Sequence, residues 1–569
     1  MVKKEANITR KASLQRLGIA LLLLLGLNFL LSKYYLRFDL TKEKRYTLTK
    51  STVSLIKNIK DPVYVEVYLE GKDLPAGIKK LRNSTKDMLE EFKARSNGKV
   101  EYHFFNIDKI KDNSKKEKFQ EELIKKGILP TNVQVKKEGG FQEKLVFPGA
   151  LIRIGSRELP IQILESQLQS GQNSLDNSVN FLEYKIANTI NKLSKDHQPR
   201  VAFVTDKGGP QFMQLADFVD GLRLQNFQVQ KIDISSENLR QQGLDILVIA
   251  KPTLPFSEQD KFKIDQYVMN GGKVLWMIDP IIADLDSFKN NASIMSIPRE
   301  LNLTDILFRY GVRTNSTLLL DLYCNQIPLV QEIGGNPQTQ FFPWVFYPVI
   351  LSQNNHPIVK NLDPVTLEFA SGLDTIRTPG VQKTILLQSS IYSRLQNTPF
   401  EIYLEGASIE PQKELFNRSN IPVGVLMEGS FKSLYKNHLT EDLKPVIASE
   451  QLRDIKGSSK PTKMIVIADG DICENDVDQN GNYLPLGYYK YTKETFANKT
   501  FLLNCVEYLI DDVGIIEARN RENKMQLLDK AKVNDSRALW QIINVVLPIV
   551  GVGIFGLIFN QRRTRRYAH

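Results

Sequence analysis

Cysteine is scarce: three in 569 residues, Cys324, Cys473 and Cys505, far apart and without any C-x-x-C. That excludes a disulfide scaffold and a structural zinc site. No G-x-x-x-x-G-K-[ST] occurs, so the chain does not hold ATP in a P-loop, and the paired glycines Gly208-Gly209 and Gly271-Gly272 match no dinucleotide or phosphate fingerprint. Only five histidines are present, none in H-E-x-x-H or beside a nucleophile motif; Cys324 with His356 is no better a dyad than any distant pair. The expectation is a protein that is not an enzyme, with no catalytic residue, no cofactor and no metal.

Long hydrophobic runs are also few, and there are two. Residues 17–36 begin LGIALLLLLGLNFLLS and residues 539–559 contain WQIINVVLPIVGVGIFGLIF. At about 1.5 Å per residue each approaches the ~30 Å of a bilayer core. The basic head, residues 1–16 (Lys3, Lys4, Arg10, Lys11, Arg16), could introduce a signal peptide, but no small-residue cleavage site follows, so an uncleaved anchor is expected. Head and tail, the latter residues 560–569 with Arg562, Arg563, Arg565 and Arg566, are short and basic, whereas a long loop translocates largely regardless of charge. Both termini are therefore expected in the cytoplasm, with the bulk of the chain outside, on the periplasmic side of an inner membrane. Pro548, Gly551, Gly553 and Gly556 give the second span small surfaces, a candidate docking face for another membrane helix.

What lies between the spans is rich enough to fold. Apolar residues make up 42% and charged residues 24%, a globular composition, and the length implies three to four domains. The net charge of +11 is concentrated at the chain ends and not on one folded surface, so no nucleic-acid partner is expected. Strand and helix patterns alternate over residues 45–195, an α/β outline of thioredoxin type but without its C-x-x-C. A second α/β domain spans residues 199–510, with apolar strands RVAFVT, LDILVIAKP, KVLWMIDP and KMIVIA separated by helices, the pattern of a parallel sheet covered on both faces. A mixed insertion is expected at about 281–460 and a linker at 511–538.

The carboxylates Asp469, Asp471, Glu474, Asp476 and Asp478 crowd one loop. Asp476 to Gly481 fits the first half of an EF-hand, but the twelfth position is Gly487 where a bidentate Glu would be needed, so a solvated surface loop is the reading.

Taken in order, the basic head and first span running into FDLTKEKRYTLTKSTVSLIKNIKDPVYVEVYLEG, then LDILVIAKPTLPFSEQDKFKIDQYVMNGGKVLWMIDP, LNLTDILFRYGVRTNSTLLLDL, PVGVLMEGSFKS, KMIVIADGDICEND and the Arg-rich tail resemble the GldG family of gliding-motility-associated ABC transporter components. The resemblance implies a membrane-anchored auxiliary, "substrate-binding" subunit working with a multi-span permease and a separate cytoplasmic ATP-binding subunit in bacteria of the Bacteroidetes type, with periplasmic or envelope cargo. The segment from Arg200 is similar to class I glutamine-amidotransferase-like domains, which place a nucleophilic Cys at a strand-to-helix elbow; the elbows here read Asp206-Lys207-Gly208 and Lys251-Pro252-Thr253, so the fold is expected without the activity. A solute- or envelope-binding protein without a transport role and a degenerate amidotransferase-like hydrolase are the alternatives.

Overall fold

The computed structural model describes residues 18–19, 21–26, 28 and 47–567, apart from 72, 138–139, 165–170, 196, 335, 353, 437–440, 450–454 and 521–535. The chain is mixed α/β. The expected first span lies mostly outside the described residues; those of it that are described, within 18–28, are helical and exposed.

In the first region, α1 (Lys50–Lys57) precedes β1 (Val63–Val67), α2 (Ala76–Arg95), β2 (Val100–Phe104) and α3 (Asn113–Lys125). A hairpin of β3 (Thr131–Lys137) and β4 (Gly140–Val146) leads to β5 (Gly149–Ile154), β6 (Arg157–Gln162) and α4 (Gly171–Ser194). Side-chain oxygens cap two of these helices: the Thr49 hydroxyl accepts from the Thr52 N–H, and Asp112 accepts from Ser114 and Lys115. The sheet runs β2-β1-β5-β6, with β1 parallel to β2 and antiparallel to β5. Alternation in VYVEV turns Val63, Val65 and Val67 inward, where they pack with Leu182, Ile186 and Ile190 of α4.

The second region begins with β7 (Arg200–Val204), α5 (Ala216–Leu224), β8 (Gln228–Ile232), β9 (Ile246–Ala250), α6 (Glu258–Met269) and β10 (Lys273–Met277). Ser257 and Asp260 form a capping box that starts α6, and Gly271, at φ +98°, takes the left-handed turn that ends it. After the insertion come β11 (Val381–Gln388), β12 (Pro422–Gly429), β13 (Thr462–Ile467) and α7 (Asn498–Ile510). The seven strands lie in the order β11-β12-β13-β10-β9-β7-β8. β8, β7, β9, β10 and β13 are mutually parallel, and β12 and β11 add an antiparallel edge. Both faces are covered, as continuous apolar strands require. Val201 and Phe203 face α5 and α7, while Ala202 and Val204 face α6 and the helix Thr304–Tyr310.

Two boundaries differ from the sequence reading. β11 and β12 fall inside the segment expected to be an insertion, yet they complete the main sheet; what stands apart is an antiparallel subdomain around Trp344, Phe346 and Leu318. The expected linker opens with a 3-10 turn, Ile515–Asn520, whose Ile515, Ile516 and Ala518 are buried in the core of the first region. A linker should be polar and exposed; these apolar residues are neither.

The described residues after 535 belong to a separate unit. In it α8 (Arg537–Tyr567) contains Leu539–Arg565, which among the described residues is the one helix long and apolar enough to cross a membrane.

Candidate functional site

Parallel strands deliver all their carboxyl ends to one edge, and at that edge this sheet gathers charge. Hydrogen bonding continues past the strands: Lys251 N–H donates to Met277 O at 2.8 Å, Ile278 N–H to Ile467 O at 3.0 Å, and Ala468 N–H to Val423 O at 2.8 Å. This sets Lys251 after β9, Asp279 after β10, and Asp469 and Asp471 after β13 side by side. The insertion adds Glu368, whose N–H donates to Asp469 Oδ2 at 2.7 Å. Asp469 Oδ1 accepts from Ile472 N–H at 3.1 Å. The Gly470 N–H donates to Asp279 Oδ1. A side chain at position 470 would force its neighbours to shift, because a Cβ there would lie 2.6 Å from Lys251 Cγ and 2.8 Å from Asp279 Oδ2.

Among the described residues, Lys251 is the single ammonium bonded within this group. Its Nζ donates to Asp471 Oδ1 and to Glu474 Oε2, the latter at 3.1 Å. Its backbone takes φ +42°, a left-handed conformation that a non-glycine residue adopts at a cost of about 1–3 kcal/mol. Lys251 opens the second of the two candidate elbows, Lys251-Pro252-Thr253. Burial opposes the charge on Lys251, but Asp471, Glu474 and Asp279 outweigh it and hold its proton above the usual lysine range. A protonated amine is no nucleophile.

The carboxyls respond in the opposite sense. Burial first, then repulsion from Asp471, pushes Asp279 up to about 7 and Glu368 up to about 8. The same two causes raise Asp469, and burial raises Glu474. Asp279 and Glu368 are each half-buried as residues. Asp279, Asp469 and Asp471 place oxygens within 4.8 Å of one another, the kind of spacing a hard cation uses. Of the three, Asp471 accepts from Lys251 Nζ. Beside the group opens a cavity of about 330 Å³, lined by Lys251, Glu368, Asp471, Tyr347 and Tyr489 among others.

The loop expected to be solvated therefore divides. Asp469 is 0% exposed and belongs to the sheet edge with Asp471, which is a correction to the surface reading of these two. Asp476 lies near Lys490 at 4.0 Å and borders the cavity. Asp478 is half-buried, and its Oδ1 accepts from the Asn480 and Asn482 N–H groups at 2.8 Å each, so local backbone already takes up the carboxylate. Lys251, Asp279 and Glu368 went unremarked in the sequence as site residues; a lone charge terminating an apolar run was the available signal for the first two (IAK, MID), and TLEFA offers none for Glu368.

The other candidates separate. At the Asp206 elbow, burial works against the charge, but hydrogen bonds from Ser235 and Ile234 hold the carboxyl at about 2, and Lys207 pairs with Asp260 at 2.7 Å. That elbow is a structural brace. His356 packs on the Tyr508 ring at 4.7 Å and accepts at Nδ1 from Ile358 N–H; Cys324 lies beside Asp321, with burial pushing its thiol up to about 12. No contact joins the two among the described residues. Pro548, Gly551, Gly553 and Gly556 lie on α8, and a Cβ at any of the three glycines would meet nothing within 4 Å.

Known proteins match most of this framework. The family described as an ABC-type uncharacterized transport system matches residues 198–505, more than half of the chain and nearly the span from β7 to α7. The chain belongs to that family. Membership gives it an accessory part in an ABC-type transport system. A second family, described only as a domain of unknown function, matches residues 42–153, from before α1 into β5. An uncharacterized protein of Borreliella burgdorferi is 23% identical over 431 residues, covering 73% of this chain and 77% of that one. Among solved structures, the mmIFT52 N-terminal domain aligns with 13% identity over 55% of this chain and 96% of its own, at a TM-score of 0.30. A ThuA-like protein of Parabacteroides merdae aligns with 13% identity over 55% and 90%, at 0.23. Scores this low carry no argument about fold or function.

Proposed function

We propose that the protein is a non-catalytic auxiliary subunit of an ABC transporter linked to gliding motility, partnered by a multi-span permease and a separate ATP-binding subunit. One observation carries the reading: a chain of a transport-system family also holds a helix long and apolar enough to cross a bilayer, flanked by Arg562, Arg563 and Arg565. Residues 17–36 and 539–559 are the two spans, both termini lie in the cytoplasm, and the α/β regions project into the periplasm, where they meet cargo or envelope. The first region's sheet, with a parallel β1/β2 pair and an antiparallel β5/β6 pair, supports the thioredoxin-like outline, and the five parallel strands of the second support the amidotransferase-like one. The absence of catalysis is supported by Lys251, a protonated amine where such a fold would carry its nucleophile. The resemblance to the GldG family supports the permease, the ATPase and the gliding role.

Pull-down of the tagged full chain in mild detergent, read by mass spectrometry, is expected to bring down a multi-span protein and a P-loop ATPase together. Recovery of neither overturns the proposal. Replacing Gly551, Gly553 and Gly556 with Leu should leave the protein inserted and lose the permease, because small residues let membrane helices approach closely. Recovery of the permease at wild-type yield by this variant would place the docking surface elsewhere.

A further inference from the structure

A second cavity, of about 350 Å³, lies where the first α/β region meets the second. α4 provides one wall with Phe181, Tyr184 and Lys192, α7 another with Asn504 and Glu507, and the turn Ile515–Asn520 brings in Arg519. We propose that this cavity binds a small amphipathic anion, its acidic group set against Arg519 and Lys192.

The case rests on charge that the protein leaves uncompensated. Arg519 is only 6% exposed, and buried arginines are nearly always paired with a carboxylate. This one is not. Its Nη1 donates to the neutral Asn504 Oδ1, its guanidinium stands 4.9 Å from the Phe181 ring and 5.2 Å from that of Tyr184, and its Nε has no hydrogen-bond partner. No carboxylate among the described residues forms an ion pair with it. Two carboxylates line the cavity, Asp363 and Glu507; Glu507 is already committed, accepting from Lys192 Nζ at 2.6 Å, from Asn188 Nδ2 at 2.9 Å and from the Tyr184 hydroxyl. Three cations in the lining, Lys185, Lys192 and Arg519, thus face two carboxylates, Asp363 and Glu507, and one positive charge is left over beside the cavity. Gln225, half-buried in the same lining, has an Oε1 without a donor. Leu159, Leu224 and Leu503 make part of the wall apolar.

These features define a ligand: one acidic group and an apolar body, with Gln225 Oε1 open to a donor on any ligand that carries one. A volume near the lower end of the ~300–1,000 Å³ of small-molecule sites suits a metabolite-sized compound, and domain boundaries are where such sites concentrate. Because α4 belongs to one region and α7 to the other, an occupant would tie the two together. None of this depends on the transporter reading.

The test is calorimetry on the full chain in lipid nanodiscs, with 1-naphthoate and its neutral isostere 1-naphthamide as probes and empty-nanodisc heats subtracted. Naphthoate is expected to bind one-to-one, at least tenfold more tightly than naphthamide. Arg519→Gln should weaken naphthoate at least tenfold and leave naphthamide unchanged. Gln225→Glu, at a half-buried position able to carry a charge, should likewise weaken naphthoate tenfold by repulsion, and it decides the matter if Arg519→Gln does not fold. The proposal is overturned by absence of saturable naphthoate binding, by equal affinity for the two probes, or by wild-type naphthoate affinity in Gln225→Glu.

Discussion

Asp279→Asn should stabilise the protein more at alkaline than at acid pH. The substitution keeps an oxygen to accept the Gly470 N–H and removes a carboxyl that burial and Asp471 raise from its ordinary 3.8 to about 7. A group whose folded value lies above its unfolded value holds a proton in the folded state that the unfolded chain has released. Stability then falls as pH rises through that window and levels off once the folded group has also ionised. Between pH 5.5 and pH 8.5 the wild-type protein crosses about 1.5 pH units of the window, a loss of about 2 kcal/mol that the Asn variant is spared. Changes in hydrogen bonding do not depend on pH and drop out of the difference, as do groups that titrate alike in both proteins. Trp276 and Trp344, 0% and 1% exposed within this half of the chain, report its unfolding by intrinsic fluorescence. The gap in melting temperature between variant and wild type should widen by roughly 4 °C from pH 5.5 to pH 8.5. A gap that is the same at both pH values, or larger at the acid one, refutes the assignment of a raised carboxyl to Asp279.

Gly429→Ala should cost on the order of 2 kcal/mol or more, because φ is +139° and an added Cβ would lie 2.0 Å from Gly380 O on the β11/β12 edge. Gly155→Ala, at φ +59° with nothing within 4 Å, should cost only about 1 kcal/mol, and equal losses in thermal melts would contradict the edge geometry. Changing Asp476 and Asp478 together to Asn should leave melting equally unaffected in calcium and in chelator; a calcium-dependent rise in the wild type that the change abolishes would mean the loop is a real calcium site after all.

The strands that could be read from the sequence were those whose environment is uniform along their length. ILVIA of β9 is buried at every residue, and no partner choice changes that pattern. β11 and β12 were illegible as members of the main sheet because membership depends on pairing. VQKTILLQ carries polar residues along its length, and only the antiparallel register Lys383↔Met427 and Ile385↔Val425 attaches it to the edge. The return of Ile515 and Ile516 to the first region was hidden for a related reason. Their burial is supplied by α1 and α4, more than 300 residues earlier in the chain, and no local pattern reports so distant a partner.

The charged edge shows the same limit acting on chemistry. Asp469 and Asp471 drew notice because they share a loop with Glu474 and Asp476, but proximity in sequence misjudged their setting. Their neighbours in space are Lys251, more than 200 residues away, and Asp279 and Glu368 from two other segments. The parallel sheet makes that meeting unavoidable, since each strand ends on the same side and each apolar run here stops at a charged residue. Once there, the charges constrain one another. With Lys251 Nζ bonded to both Asp471 and Glu474, the ammonium serves these carboxylates while Asp279, Asp469 and Glu368 are left to hold protons toward neutral pH. Bonds from one ammonium to two carboxylates on different turns favour a fixed geometry at this edge of the sheet.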